Sequence, residues 1–250
     1  MSGPPPPPPG GAGSGDVVQV WLVPDQRSER VLAALLAVLD AGERLRAESY
    51  RSDEDRRRFI VAHGAIRHIV AGQLGAPPRQ IRWTSGPHGK PELAGRWRGA
   101  QVNLSHSGGI AMVAVTRSRR VGVDVQQVRP QVDAAAMAHR YFLPAEARLV
   151  GAAPDAEDRA ERFARLWARK EALVKAHGGR LAQGLRIQVT GAAPTAAHRT
   201  EDAWSTSYRI TDVAAPPGYR AAVALADRAG FRVSWHRWTW PGPTPGPPPP

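Results

Sequence analysis

Apolar segments of two kinds follow one another along this chain in irregular order, and that order constrains the fold most. Short runs of period-two or continuous apolar character read as strands, and longer runs of helical period read as helices. Val17 to Val23 is a strand, Glu29 to Asp40 an amphipathic helix, and Asp53 to Leu74 a second helix ended by Gly75 and Pro77-Pro78. Ile81 to Thr84 is a short strand, and the turn-rich segment Ser85 to Pro91 follows. Val102 to Leu104 leads into a loop, Ser105 to Gly109. Ile110 to Thr116 and Val121 to Gln126, joined by a short polar turn, are expected to form a hairpin. Asp133 to Tyr141 and a segment after Pro144 are helical, and Arg159 to His177 is a long helix stopped by Gly178-Gly179. Late strands are expected over Arg186 to Thr190, Trp204 to Thr211, Arg220 to Ala226 and Phe231 to Trp238. Strands and helices mixed without regular alternation argue for an α+β fold, not a doubly wound sheet.

The 250 residues suffice for one large domain or two small lobes with a real core. Met1 to Gly15 and Pro241 to Pro250 are Pro/Gly-rich and cannot bury apolar surface, so both read as disordered tails. The absence of cysteine excludes disulfides and thiolate metal sites and suits a reducing compartment. The longest strongly apolar run, Val31 to Leu39, is too short to span a bilayer, and the N-terminus has no secretion-signal pattern. A cytoplasmic enzyme is the expectation. The net charge of +12 draws polyanions, whether nucleic acid, acidic proteins or phosphorylated small molecules. The nucleic-acid reading has no helix-turn-helix or zinc pattern behind it, and the basic residues are scattered rather than striped.

Three segments carry chemistry. In Val121 to Gln126 the period of two puts Val121, Val123 and Val125 on one buried face and Gly122, Asp124 and Gln126 on the other. Gly122 is expected to leave room for a ligand beside Asp124. The Asp124 carboxylate and the Gln126 amide oxygen can meet one hard cation, or the strand can simply have a wet face. On the helix through Phe163 to Lys175, the residues Phe163, Leu166, Trp167, Leu173, Val174 and His177 form an apolar stripe. Lys170 falls within that stripe, Glu171 at its edge, and Lys175 lies one turn beyond Glu171. The pair is either an ordinary surface contact or part of a cleft. The third segment, Asn103 to Gly109, offers hydroxyls, an imidazole and glycine-freed N–H groups that suit phosphate oxygens.

Together these segments resemble the surfactin-type 4′-phosphopantetheinyl transferases, the two-lobed monomeric class. Gly122 to Gln126 matches that family's Gly-[Ile/Val]-Asp-[Ile/Val]-Glu strand, with Gln126 in place of the usual Glu. Trp167 to Lys175 matches its Trp-x-x-Lys-Glu-[Ala/Ser]-x-x-Lys helix, Asn103 to Ser107 its Asn-[Ile/Leu]-Ser-His-Ser, and Gly89-Lys90-Pro91 its Gly-Lys-Pro turn. The resemblance implies two similar lobes with a pseudo-twofold relation, each a small, mostly antiparallel sheet with helices, and an active site in the cleft between them. The lobes are expected at residues 16–117 and 118–240. The implied activity is Mg²⁺-dependent transfer of 4′-phosphopantetheine from coenzyme A to a serine of an apo acyl or peptidyl carrier protein, releasing 3′,5′-ADP. Fatty-acid, polyketide and peptide synthesis all use such carriers.

By the same resemblance Asp124, Gln126 and Glu171 match metal ligands. Lys90, Ser105, His106, Lys170 and Lys175 match residues around the phosphates of coenzyme A, and Arg44, Arg46 and Arg58 basic positions at its nucleotide end. Glu171, then Glu146, are the candidates to take the serine proton. No nucleic-acid or membrane partner is implied. An inactive relative that binds without transfer is the rival that Gln126 favours.

Overall fold

The structure, a computed structural model, describes residues 16–86, 89–191, 195–199 and 205–240. The two Pro-rich segments and Trp204 lie outside the described residues. Two sheets stack between two layers of helices. In the first half β1 (Asp16–Pro24) is followed by α1 (Glu29–Val38), α2 (Ala41–Glu48), α3 (Asp53–Leu74), the small β2 (Trp83–Ser85) and β3 (Pro91–Leu93), then β4 (Gln101–Ser107) and β5 (Ile110–Thr116). The second half runs β6 (Val121–Gln127), α4 (Ala134–Tyr141), α5 (Pro144–Gly151), α6 (Ala156–His177), α7 (Leu181–Leu185), β7 (Thr195–Arg199), β8 (Ser205–Val213), β9 (Tyr219–Ala226) and β10 (Phe231–Arg237). The fold is α+β with small, mainly antiparallel sheets.

Each half has one long helix, and the reason is the same in both. Ser52 opens α3 by accepting from the Asp55 N–H, and Asp155 opens α6 by accepting from the Asp158 N–H. Gly75 and Gly178 close them at φ 62° and 81°, a left-handed conformation glycine adopts without steric cost. The strand order β1-β5-β4 of the first sheet is repeated as β6-β9-β8 in the second, antiparallel throughout.

One face of the first sheet packs on α1 and α3 through Val102, Val113 and Val115. One face of the second packs on α4, α5 and α6 through Ile210, Ala222 and Ala224. Their remaining faces meet in a shared core of Val18, Val20, Leu22, Met112 and Ala114 against Val121, Val123, Val125, Val223 and Leu225. Among the described residues no helix is long and apolar enough to cross a membrane.

Several expectations are corrected here. Strands β5 and β6 do not form a hairpin: β5 pairs with β1 and β4, and β6 with β9. The Met112 and Ala114 face of β5 and the Val121, Val123 and Val125 face of β6 stack across the shared core, which two strands of one sheet cannot do. Residues 117–120 cross between the sheets, held by Arg119, which donates to the Ala226 carbonyl at 2.6 Å and pairs with Asp16 at 2.7 Å.

The sheet boundary also departs from a lobe at 118–240. Strand β10 returns to pair with β1 in parallel, and Trp238 and Trp240 pack on the first core. Residues 186–190 are not a strand. The carbonyls of Leu185, Ile187 and Val189 accept from buried Lys170 and Arg169, so this backbone is satisfied by side chains. Ser105 to Ser107 belong to β4 rather than to a loop.

Candidate active site

Strand β6 buries Val121, Val123 and Val125 as its alternation requires. Its opposite face lies on α6, so closely that a Cβ on Gly122 would come within 2.0 Å of the Ala172 carbonyl oxygen. The space at Gly122 is therefore taken by helix backbone and is not free for a ligand. Close packing of α6 carries Glu171 and Lys175 to Asp124, two residues along the strand.

Asp124 is 1% exposed and has three partners. Its Oδ1 accepts from the Ser105 hydroxyl at 2.6 Å and meets the Lys175 ammonium at 2.5 Å. Its Oδ2 accepts from the Gln126 amide nitrogen at 2.9 Å. The amide oxygen of Gln126 is thus the atom left for a cation. Ser105 Oγ also accepts from Lys175 Nζ at 3.0 Å, so Ser105 supports the carboxylate. Glu171 is half-buried, and its carboxylate makes no hydrogen bond or ion pair among the described residues. Burial raises its pKa above the usual carboxylate range; Lys175 opposes the rise and Asp124 adds to it.

A cleft of about 570 Å³ opens beside this cluster in the first lobe. Arg46, Phe59, His63, Trp83, Asn103 and His106 are among its lining residues. His63 stacks on Phe59 at 3.9 Å between centroids, and the Arg46 guanidinium lies 5.9 Å from the same ring. Beneath them buried Arg67 pairs with Asp40 and Glu43, and Glu43 in turn meets His63 Nδ1 at 3.3 Å. His106 is exposed at the cleft wall, and its pKa is lowered by partial desolvation there, then by Lys175. Beyond Gln126, in the second lobe, lies an apolar pocket of about 270 Å³ lined by Val132, Met137, Phe163 and Trp167, with Arg129 at its wall.

The structure separates the remaining site candidates. Lys90 Nζ donates to the Val121 carbonyl at 3.2 Å, at the lobe junction. Burial lowers its pKa to about 8, with Glu92 opposing and Arg120 adding to the shift. Arg58 pairs with Glu54, Asp55 and Asp25 and exerts its charge on His106. Arg44 is turned away from the cleft, donating to the Ala37 and Leu39 carbonyls at the end of α1.

Glu146 and Lys170 are not in the cleft either. Both are buried in the second lobe, where Lys170 Nζ meets Glu146 Oε2 at 2.7 Å as an ion pair, off the line of a good hydrogen bond. Glu146 Oε1 accepts from the Val189 N–H at 2.9 Å. A carboxylate so enclosed cannot reach a substrate hydroxyl. The pKa of Lys170 is lowered by burial, with Glu146 opposing.

Phe59, His63, Trp83 and Glu43 line the cleft, with Arg67 buried beneath them, and the sequence reading missed all five. Arg67, a charge on the buried side of α3, is the signal that could have exposed them, as Lys170 did on α6.

Comparison with known proteins agrees with this architecture. Residues 120–224 match the 4′-phosphopantetheinyl transferase superfamily, and residues 25–118 match its N-terminal domain, described as 4′-phosphopantetheinyl transferase, N-terminal. The chain is 36% identical to the 4′-phosphopantetheinyl transferase HetI of Nostoc sp. over 225 residues, covering 88% of this chain and 92% of HetI. It is 29% identical to the 4′-phosphopantetheinyl transferase psf-1 of Bacillus pumilus, over 82% of this chain and 87% of psf-1. Identity to the 4′-phosphopantetheinyl transferase Sfp of Bacillus subtilis is 25%, over 76% of this chain and 84% of Sfp. The chain belongs to the 4′-phosphopantetheinyl transferase superfamily.

Proposed function

We propose that this chain, acting as a monomer, transfers 4′-phosphopantetheine from coenzyme A to a serine hydroxyl of an acyl or peptidyl carrier protein with Mg²⁺ bound. One observation carries the reading. Asp124, Glu171 and Lys175 are gathered at the lobe junction, between a nucleotide-sized cleft and an apolar pocket.

The donor set fits the ion. Among the described residues no group of three or more His, Cys, Asp and Glu could hold a metal; the donors near Asp124 are two carboxylates, Asp124 and Glu171, and the Gln126 amide oxygen. Mg²⁺ is commonly held by one or two carboxylates and takes its other ligands from water and substrate phosphates. When bound it supplies positive charge at the pyrophosphate.

The chain's own residues do the rest. The cleft holds the nucleotide end between Arg46, Phe59 and His63, with His106 donating hydrogen bonds. Lys175 and Lys90 neutralise phosphate oxygens. Transfer of a phosphoryl group rests mainly on such positioning and charge stabilisation. Glu171, whose carboxylate makes no hydrogen bond among the described residues, takes the proton of the attacking serine. The leaving group is 3′,5′-ADP. The test is to incubate the protein with coenzyme A, Mg²⁺ and a panel of apo carrier proteins and weigh the products. A gain of one phosphopantetheine on a carrier supports the reading, and no gain on any overturns it.

Lys90 gives the binding a pH dependence. An anion binds the ammonium form, which is present below about pH 8 and lost above it. Affinity for coenzyme A is expected to fall as pH rises through about 8, and Lys90→Met to weaken binding at pH 7 and flatten that fall. Calorimetric titration across this range checks it, and an unchanged slope in the variant removes Lys90 from the site.

The carrier is expected to dock on residues 128–141, where Val132 and Met137 line the apolar pocket with Arg129 beside them. Reversing Arg129 and Arg140 to Glu is expected to raise KM for an acidic carrier by about tenfold, with KM for coenzyme A nearly unchanged. Steady-state kinetics at low salt measure this, and unaltered carrier kinetics move the docking surface elsewhere.

A further inference from the structure

The two sheets are joined at their edges by side chains standing in for a backbone ladder. Strand β4 is one edge of the first sheet and β6 one edge of the second, and neither pairs with the other through its backbone. An edge strand leaves alternate N–H groups unpaired. On β6 the Val123 N–H donates to Asn103 Oδ1 at 2.8 Å, the Val125 N–H to Ser105 Oγ at 3.3 Å and the Gln127 N–H to Ser107 Oγ at 3.0 Å. The acceptors are spaced by two on β4 and the donors by two on β6, so the strands run alongside in fixed register. A side chain reaches further than a carbonyl, so these rungs hold the strands apart while preventing slip.

Asp124 sits between the first two rungs, and Ser105, which makes the middle one, also donates to the Asp124 carboxylate. Asn103 additionally lines the first-lobe cleft.

We propose that Asn103 and Ser107 are positioning residues that register the Asp124 strand of one lobe to the cleft of the other. The proposal rests on the transferase reading above. Both residues act through backbone N–H groups of β6, not through substrate. Removing a rung lets β6 shift against β4, which displaces the carboxylate from its place beside the cleft. The expected signature is lower turnover and weaker metal binding at nearly constant affinity for coenzyme A.

The test compares Asn103→Leu, Ser107→Val and Ser107→Thr with the unaltered chain. Thr keeps the acceptor oxygen that Val, its near isostere, lacks. Mn²⁺ titrated into protein with coenzyme A, followed by paramagnetic resonance, reads the carboxylate site directly, and carrier kinetics read kcat and KM. Asn103→Leu is expected to lower kcat and weaken Mn²⁺ binding by about tenfold, equivalent to about 1.4 kcal/mol, with KM for coenzyme A within about twofold. Ser107→Val is expected to shift the same two quantities by a smaller factor, and Ser107→Thr to restore them.

A lowered melting temperature with unchanged kcat and Mn²⁺ binding overturns the proposal, since the rungs are then only structural. A raised KM for coenzyme A with unchanged kcat also overturns it, since Asn103 then touches the substrate. Should Asn103→Leu fail to fold, equal behaviour of Ser107→Val and Ser107→Thr overturns it. If the unaltered chain modifies no carrier, the transferase reading fails, while the Mn²⁺ arm still decides whether the rungs place Asp124.

Discussion

Asp124→Ala and Glu171→Gln are each expected to lower phosphopantetheine transfer by about two to three orders of magnitude, the scale of removing a preorganised charge contact to a transition state. Asp124 is fixed from three sides, by Ser105, Gln126 and Lys175. The Ala variant leaves the Lys175 ammonium without its carboxylate partner and takes away one of the two carboxylates offered to the ion. Glu171→Gln removes a carboxylate that no other side chain is hydrogen-bonded to among the described residues, so its loss disturbs packing little and chemistry much. Gln126→Ala should cost far less, because a neutral oxygen is replaceable by water, and Gln126→Glu should keep or strengthen metal binding. Single-turnover transfer read by mass, with Mn²⁺ titration alongside, ranks the four variants. A loss on Gln126→Ala as deep as that on Asp124→Ala would reverse the order of ligands.

Glu146→Ala is expected to destabilise the fold by about 3–5 kcal/mol, the usual result of stripping one partner from a buried ion pair. Lys170 then keeps the Leu185 and Ile187 carbonyls and the face of Phe142 but no anion, and the Val189 N–H loses its acceptor. The melting temperature should fall on the order of 10 °C for a chain of this size. Turnover per folded molecule should stay near that of the unaltered protein when assayed well below the transition. Replacing both partners together, Glu146→Leu with Lys170→Met, should recover much of the lost stability, because no charge is then left unpaired. Thermal unfolding and activity at low temperature measure the two halves. A Glu146→Ala protein that melts normally but transfers nothing would return Glu146 to the reaction.

These two carboxylates show where sequence stops informing. Both Glu171 and Glu146 stand in family-like positions, and both are acidic residues near a predicted helix boundary or stripe. One lies half-buried near Asp124 and Lys175, whereas the other is enclosed with Lys170. Lys170 was visible as a charge within an apolar stripe, but its partner lies in a helix that local patterning cannot orient. The same holds for Arg44, which is basic and close in sequence to Arg46 yet turns back on α1.

What the sequence determined was local. Period-two alternation around Asp124, helical period through Trp167, the capping residues Ser52 and Asp155 and the stopping glycines Gly75 and Gly178 dictate where strands and long helices form, since each depends on neighbours a few residues away. The α+β class follows from their order. Which strands pair, however, was decided by the tertiary structure: an apolar face states that it must be covered, not by what. Stacking Val121, Val123 and Val125 on Val18 and Val20 buries two faces at once, where the expected hairpin would bury neither. That choice moved β6 into a second sheet, closed α6 over Gly122 and brought Glu171 and Lys175 to Asp124. It also left the edge N–H groups of β6 to be met by Asn103, Ser105 and Ser107, a contact between residues twenty apart that no local pattern in the chain encodes.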